Sequence, residues 1–225
     1  MTIEMMRRGM GDNSAPLPYD SQVEYLIPTD TTTYIDTGFI DDGTYTISVR
    51  GEALMKQGNN VFNFFYGAGT WTTKLRAMRF QSNGLVYIWY DNTETLVNKI
   101  YNTSFLIVDA PTLVTFNGAS IKTRNQSSFS TESTIYLFRT NGVDNTGNAF
   151  IKISEFSIKK NDVFYRKMIP VRVKNVGYMY DYVTDTLYGN SGGGAFYLGP
   201  DVSNGGGHNC LIINILPFSV ERRAA

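Results

Sequence analysis

The chain has 225 residues, of which 42% are hydrophobic and 14% aromatic, enough for one sizeable core with or without appendages. Its twenty basic and twenty acidic residues cancel, so no net field draws in phosphate backbones and nucleic acid is not expected as a partner. The single cysteine, Cys210, excludes an internal disulfide and a multi-cysteine metal site, and no run approaches the roughly 18 apolar residues of a membrane span, so no membrane insertion is expected.

Fifteen Tyr, fourteen Phe and 21 Gly in short clusters predict strands and turns, and no long amphipathic stretch competes for helix. The first ten residues, MTIEMMRRGM, lack the apolar core of a secretory signal. Met1 to Tyr19 carries Gly9, Gly11, Asp12, Asn13, Pro16 and Pro18 and reads as an arm that cannot form a core of its own. Strand signals follow at short spacing, as in a β-sandwich. Val23 to Ile27 and Thr33 to Phe39 come first, then Thr44 to Leu54, where Tyr45, Ile47 and Val49 alternate with polar residues and one face must be core. Val61 to Tyr66 and Leu75 to Phe80 are predicted to flank a turn at Gly67-Ala68-Gly69-Thr70-Trp71.

Asn83-Gly84 is a strong hairpin signal between Met78-Arg79-Phe80 and Leu85 to Tyr90, and predicts a type I′ turn with positive φ twice. A second pair, Asn117-Gly118, separates Leu113 to Phe116 from Ala119 to Thr123. Thr134 to Arg139 and Ile151 to Lys159 are further strands, and an Asn161-Asp162 turn divides Phe156 to Val171 into an outgoing and a returning strand.

The stretch Met168 to Val202, MIPVRVKNVGYMYDYVTDTLYGNSGGGAFYLGPDV, is the most distinctive in the chain. It resembles the closing segment of LamG-like, concanavalin A-like jelly-roll domains encoded by gut Bacteroidales and their phages, including the crAss-like phages. Val23 to Phe39, VEYLIPTDTTTYIDTGF, is similar to the opening strand of the same domains. The resemblance implies a jelly-roll architecture and a virion or cell-surface setting. It covers nearly all of the part expected to be globular and carries no chemistry with it. Members of that family end near the equivalent of Leu198-Gly199-Pro200, whereas here a Gly205-Gly206-Gly207 hinge leads into Cys210-Leu211-Ile212-Ile213-Asn214-Ile215-Leu216-Pro217-Phe218. Its five large aliphatics are worth roughly 7–15 kcal/mol gross when buried, so this run needs cover. Either it adds a strand to its own sandwich or it docks on a neighbouring subunit or another virion protein.

Enzymatic readings find little support. Glycanases on a jelly-roll scaffold place two glutamates and an aspartate at alternating positions of one strand, because both catalytic groups must face one sugar. None of Glu4, Glu24, Glu52, Glu94, Glu132, Glu155 and Glu221 has a carboxylate two residues away. His208 is the only histidine, and with Cys210 beside it there is no third group to orient a catalytic pair. Laminin-type domains often hold calcium at one rim, and the loops Ile40-Asp41-Asp42-Gly43 and Val143 to Asn148 could supply oxygen ligands, yet both read equally well as turns. Sugar binding would use aromatic platforms, for which Trp71 and the Trp89-Tyr90-Asp91-Asn92 strand end are candidates. Alternation separates the last two rings: if Trp89 faces the core, Tyr90 faces solvent. Arg7-Arg8 and Arg222-Arg223 are read as solvated termini.

The expectation is therefore an all-β jelly-roll β-sandwich of two antiparallel sheets over residues 20–204, with an N-terminal arm at 1–19 and a strand-like extension at 205–225. No catalytic residues, metal ligands or cofactors are assigned. The expected role is a non-enzymatic phage virion protein, a capsid decoration, head fibre or tail component assembled in the host cytoplasm. Its arms would bind other virion proteins or copies of itself. The alternative is a glycan-binding adhesin module that recognises bacterial surface polysaccharide.

Overall fold

The computed structural model describes residues 16–54, 62–70, 73–81, 84–97, 102–143 and 151–202. They contain no helix and seventeen strands. The first half holds β1 (Ser21–Gln22), β2 (Leu26–Pro28), β3 (Ile35–Asp36), β4 (Thr46–Ala53), β5 (Phe62–Thr70), β6 (Thr73–Gln81), β7 (Val86–Tyr90) and β8 (Thr93–Val97). The second half holds β9 (Ser104–Asp109), β10 (Leu113–Phe116), β11 (Ala119–Thr123), β12 (Tyr136–Leu137), β13 (Ile151–Lys160), β14 (Val163–Val173), β15 (Val176–Asp181), β16 (Thr186–Tyr188) and β17 (Phe196–Leu198).

These strands form two antiparallel sheets, a β-sandwich of the jelly-roll type. The larger has eleven strands with the main order β11-β10-β9-β4-β13-β14-β15-β16, to which β1 adds at β14, β2 at β13, and β17 at β2. The smaller has six, in the order β3-β12-β5-β6-β7-β8. β4 shows why they face one another: Ile47, Val49, Gly51 and Ala53 are buried while Thr46, Ser48, Arg50 and Glu52 are not, the period of two expected of a strand with one core face. Between the sheets, Phe65 meets Phe105 at 5.1 Å and Tyr66 meets Phe156 at 6.0 Å. Each such side chain contributes about 1.5–3 kcal/mol when fully buried.

Two predicted turns are corrected. Gly67 to Thr70 is not a turn but the second half of β5, and the chain reverses only after Thr70. The glycines are in the strand because another segment passes directly over them. The β6–β7 hairpin exists, but its loop is longer than a two-residue type I′ turn. Gln81 N–H donates to Leu85 O at 2.8 Å, Gly84 N–H donates to Gln81 O at 2.8 Å, and Gly84 has φ +87°, so the connection runs from Gln81 to Leu85. The core decides this register. Phe80 opposes Val86, which sends Val86 and Ile88 inward. A turn centred on positions 83 and 84 would oppose Phe80 to Tyr87 and put the wrong face of β7 in the core.

The Asn117-Gly118 and Asn161-Asp162 turns form as predicted, with φ of 48° and 84° in the first and 50° and 62° in the second. Predicted strand Thr134 to Arg139 shortens to β12 because Phe138 takes φ +66° and leaves the ladder. The opening and closing segments, far apart in sequence, zip together: Val23 bridges Asp201, Leu26 opposes Leu198, and Pro28 opposes Phe196. Tyr19, the last residue of the predicted arm, lays its ring 5.0 Å from that of Tyr180, on the outer face of the larger sheet.

Candidate functional site

One row of residues crosses the smaller sheet on the face turned away from the main core: Asp36, Tyr136, Gly67, Ala77, Trp89 and Glu94. The adjacent row, Ile35, Leu137, Tyr66, Met78 and Ile88, points into the core, as alternation requires. Gly67 leaves a gap in the outer row that the segment after β12 fills. A Cβ on Gly67 would lie 2.8 Å from the Cβ of Thr140, and Asn141 N–H donates to Gly67 O at 3.1 Å.

Phe138 makes this crossing possible. A left-handed conformation at a bulky residue costs on the order of 1–3 kcal/mol. It is offset by its N–H, which donates to Phe65 O at 2.9 Å, and by its ring, buried against Phe196 at 5.1 Å. The sharp change of direction carries the Arg139 guanidinium to 5.4 Å from the Tyr34 ring. Tyr34 in turn stacks on Tyr136 with centroids 4.4 Å apart and planes 22° from parallel. Tyr34, Tyr136, Arg139, Thr140, Asn141, Gly142 and Val143 enclose an open cleft of about 380 Å³.

The closing segment fixes the far side of this cleft. Asn190 Oδ1 accepts from Tyr34 N–H at 3.1 Å, Ser191 N–H donates to Tyr34 O at 2.8 Å, and Ser191 Oγ accepts from Asp36 N–H at 3.3 Å. Glycines 192 and 194 are needed because a Cβ at either would collide with Thr32 or Thr33. The turn they press on is tied by Asp30, whose Oδ1 accepts from Thr32 N–H (2.8 Å), Thr32 Oγ1 (2.7 Å) and Thr33 Oγ1 (3.1 Å). The Thr32 hydrogen bonds hold the Asp30 carboxyl below the usual carboxylate range. Burial first, and then the neighbouring Tyr34 and Asp36, raise the Tyr136 phenol above its usual value, so it is a neutral donor at physiological pH.

Of the aromatic residues expected at a sugar platform, Trp89 and Tyr90 lie outside this cleft. Trp89 is 4% exposed and Tyr90 2%, so neither faces solvent. Trp89 is on the outer face, but it is covered in a small second core with Phe64, Leu75, Ala77 and Val143, and Arg79 lies 4.6 Å from its ring. Tyr90 turns inward, where its hydroxyl accepts from Ser127 N–H at 3.1 Å and lies 2.6 Å from Gly43 O. Trp71, His208, Cys210, positions 144–148 of the second candidate calcium loop and the whole 205–225 extension lie outside the described residues.

In the first candidate calcium loop both carboxylates are already engaged. Asp42 accepts from Thr44 N–H at 2.9 Å and from Lys160 Nζ at 3.1 Å. Asp41 is fully buried, with Oδ2 3.4 Å from Arg76 Nε. Arg76, itself fully buried, also lies 3.2 Å from Asp109 Oδ2, donates to Asp109 O at 2.8 Å, and sits 4.7 Å from the Tyr90 ring. Asp109 further accepts from Tyr66 Oη at 2.7 Å and from Arg124. Two cations and two carboxylates thus cancel inside the sandwich. Burial alone would lower the Arg76 pKa, but Asp109 and Asp41 outweigh it and raise it, while burial raises Asp41 against the pull of Arg76. Among the described residues no three His, Cys, Asp or Glu side chains gather where they could hold a metal ion.

No family model matches the chain, and no curated protein matches it. Sequence reasoning does not single out the cleft residues Tyr34, Tyr136 and Arg139. The one local signal is Asn141-Gly142, a turn dipeptide directly after an aromatic strand.

Proposed function

We propose that this protein is a non-enzymatic structural component of a phage virion, a capsid decoration, head fibre or tail part of the LamG-like kind, held by its flanking segments and displaying its sandwich outward. The observation that carries this reading is the position of the two ends of the described chain. Val202 N–H donates to Gln22 O at 2.9 Å, and Ser21 Oγ donates to Asp201 Oδ1 at 2.7 Å, so residues 21–22 and 201–202 meet at one end of the β2–β17 zipper. Arg172 binds Asp201 through Nε and Nη2, each at 2.8 Å, and locks that end. From Val23 to Thr29 the zipper runs roughly 20 Å at the usual strand rise, and the Tyr34 cleft lies beyond its far end. A module gripped at one end and open at the other suits a part mounted on a particle, where symmetric copies can exchange flanking segments. The virion setting itself is supported by the likeness of Val23–Phe39 and Met168–Val202 to phage-encoded domains.

Mass spectrometry of purified particles tests this. The full chain is expected at a fixed ratio to the major shell protein and is expected to be lost when residues 205–225 are deleted. A protein absent from washed particles contradicts the proposal.

A second reading, a glycan-binding module, is favoured by the cleft: stacked tyrosines beside an arginine, an asparagine and a threonine are the groups that hold a sugar ring and its hydroxyls. The two readings are compatible. A glycan array carrying host surface polysaccharides should give a saturable signal, and a flat response ends the second reading without touching the first.

A further inference from the structure

We infer that the Tyr34–Tyr136–Arg139 cleft selects acidic saccharides, with the Arg139 guanidinium receiving a sugar carboxylate while the tyrosines carry the ring. This rests on the glycan reading and adds the charge of its ligand. Five other described arginines, Arg50, Arg76, Arg124, Arg166 and Arg172, each lie against a carboxylate, at Glu155, Asp41 and Asp109, Asp109, Asp181, and Asp201 respectively, while Arg79 lies over the Tyr87 and Trp89 rings. Arg139 has no carboxylate and no hydrogen-bond acceptor among the described residues, and its contact is the face of Tyr34. A guanidinium beside a ring and without a carboxylate partner keeps N–H donors, which match a carboxylate in two parallel bonds, for a ligand.

Its placement is costly, which distinguishes it from an ordinary surface arginine. The left-handed turn at Phe138 and the missing side chain at Gly67 both serve to bring positions 139–141 over the sheet. Asp36 opposes Tyr136 in register, and its Oδ1 accepts from Gly38 N–H at 2.9 Å. The cleft, of about 380 Å³, is open to solvent.

The test is titration calorimetry of the full chain with oligogalacturonate and oligomannuronate, with their methyl esters and with a neutral galactan. The esters keep the ring and lose the charge. At least one acid oligomer should bind about ten- to a hundredfold more tightly than its ester, the range expected for a hydrogen bond to a charged group. Arg139→Gln should remove that preference, and Arg139→Lys should restore part of it. Tyr34→Ala should weaken acid and ester alike, with Tyr34→Phe as the variant that keeps the ring if the alanine form unfolds. Equal binding of acid and ester, or an acid preference unmoved by Arg139→Gln, overturns the acidic selectivity and leaves the glycan reading standing. Binding of none of the acids overturns the inference, and binding of no array glycan as well removes the glycan reading beneath it.

Discussion

A cation as completely buried as Arg76 survives in an all-β core because Asp41 and Asp109 flank its Nε and two carbonyls receive its Nη2. Removing it leaves Asp41 without its cation in a dry interior, while Asp109 keeps Arg124 and Tyr66. Arg76→Met is therefore expected to lower stability by about 3–5 kcal/mol, the usual effect of breaking a buried pair, as read from urea denaturation with an unchanged slope. A loss under about 1 kcal/mol would mean that water reaches the cluster. Gly67 makes the opposite demand, for empty space. Gly67→Val puts methyl groups where Thr140 packs, and should cost about 1–3 kcal/mol by overpacking. On the glycan reading it should also abolish saccharide binding, because the cleft wall is displaced. A stable variant with full binding would show that the 138–143 segment does not need its seat on β5.

At the scale of strands, what is legible in the sequence is what depends on neighbours in the chain. Alternation in Thr46–Ala53 and the turn pairs Asn117-Gly118 and Asn161-Asp162 are readable because period and positive φ are local properties. β9 gives no such signal, because Leu106 and Val108 on its outer side are as apolar as Phe105 and Ile107 on its inner side, so no alternation shows. The hairpin at Gly84 reads as a two-residue turn from its dipeptide alone, whereas its register is set by Phe80 and Val86 meeting the opposite sheet, which no short-range rule contains. The cleft is not legible at all. Tyr34 and Tyr136 come from distant parts of the chain and meet only through β3–β12 pairing, while Trp89, the conspicuous aromatic, is spent on a local core. Gly118 offers a clean check on the turn argument. It has φ +84° and nothing within 4 Å of the place a Cβ would occupy, so Gly118→Ala is a backbone effect alone. It should destabilise by about 1–2 kcal/mol through left-handed strain. No change in urea midpoint would mean that the Phe116–Ala119 turn is not held in this form.

For the whole molecule, the clasp of Ser21 and Arg172 on Asp201 is electrostatic and has a definite pH signature. Hydrogen bonds from Arg172 first, and Ser21 second, push the Asp201 carboxyl down from 3.8 to about 2. A carboxyl lowered on folding contributes stability that is present above its unfolded pKa and is lost as pH falls through the folded one. Hydrogen-exchange protection factors of Val23 and Val202 should therefore be level from about pH 7 down to about 4 and fall between about 4 and 2. Asp201→Asn should remove that acid step and lower protection at neutral pH; an unaltered acid step in the variant would assign the transition to another group.

On the proposed virion role, the clasp marks the end by which the sandwich would be held. Cryo-electron microscopy of purified particles carrying the full chain measures this directly. The account predicts density for the sandwich joined to the particle at the Ser21–Asp201 end, with the Tyr34–Arg139 cleft turned toward solvent. Particles without that density, or with the cleft pressed against the shell and the Ser21–Asp201 end free, would contradict it.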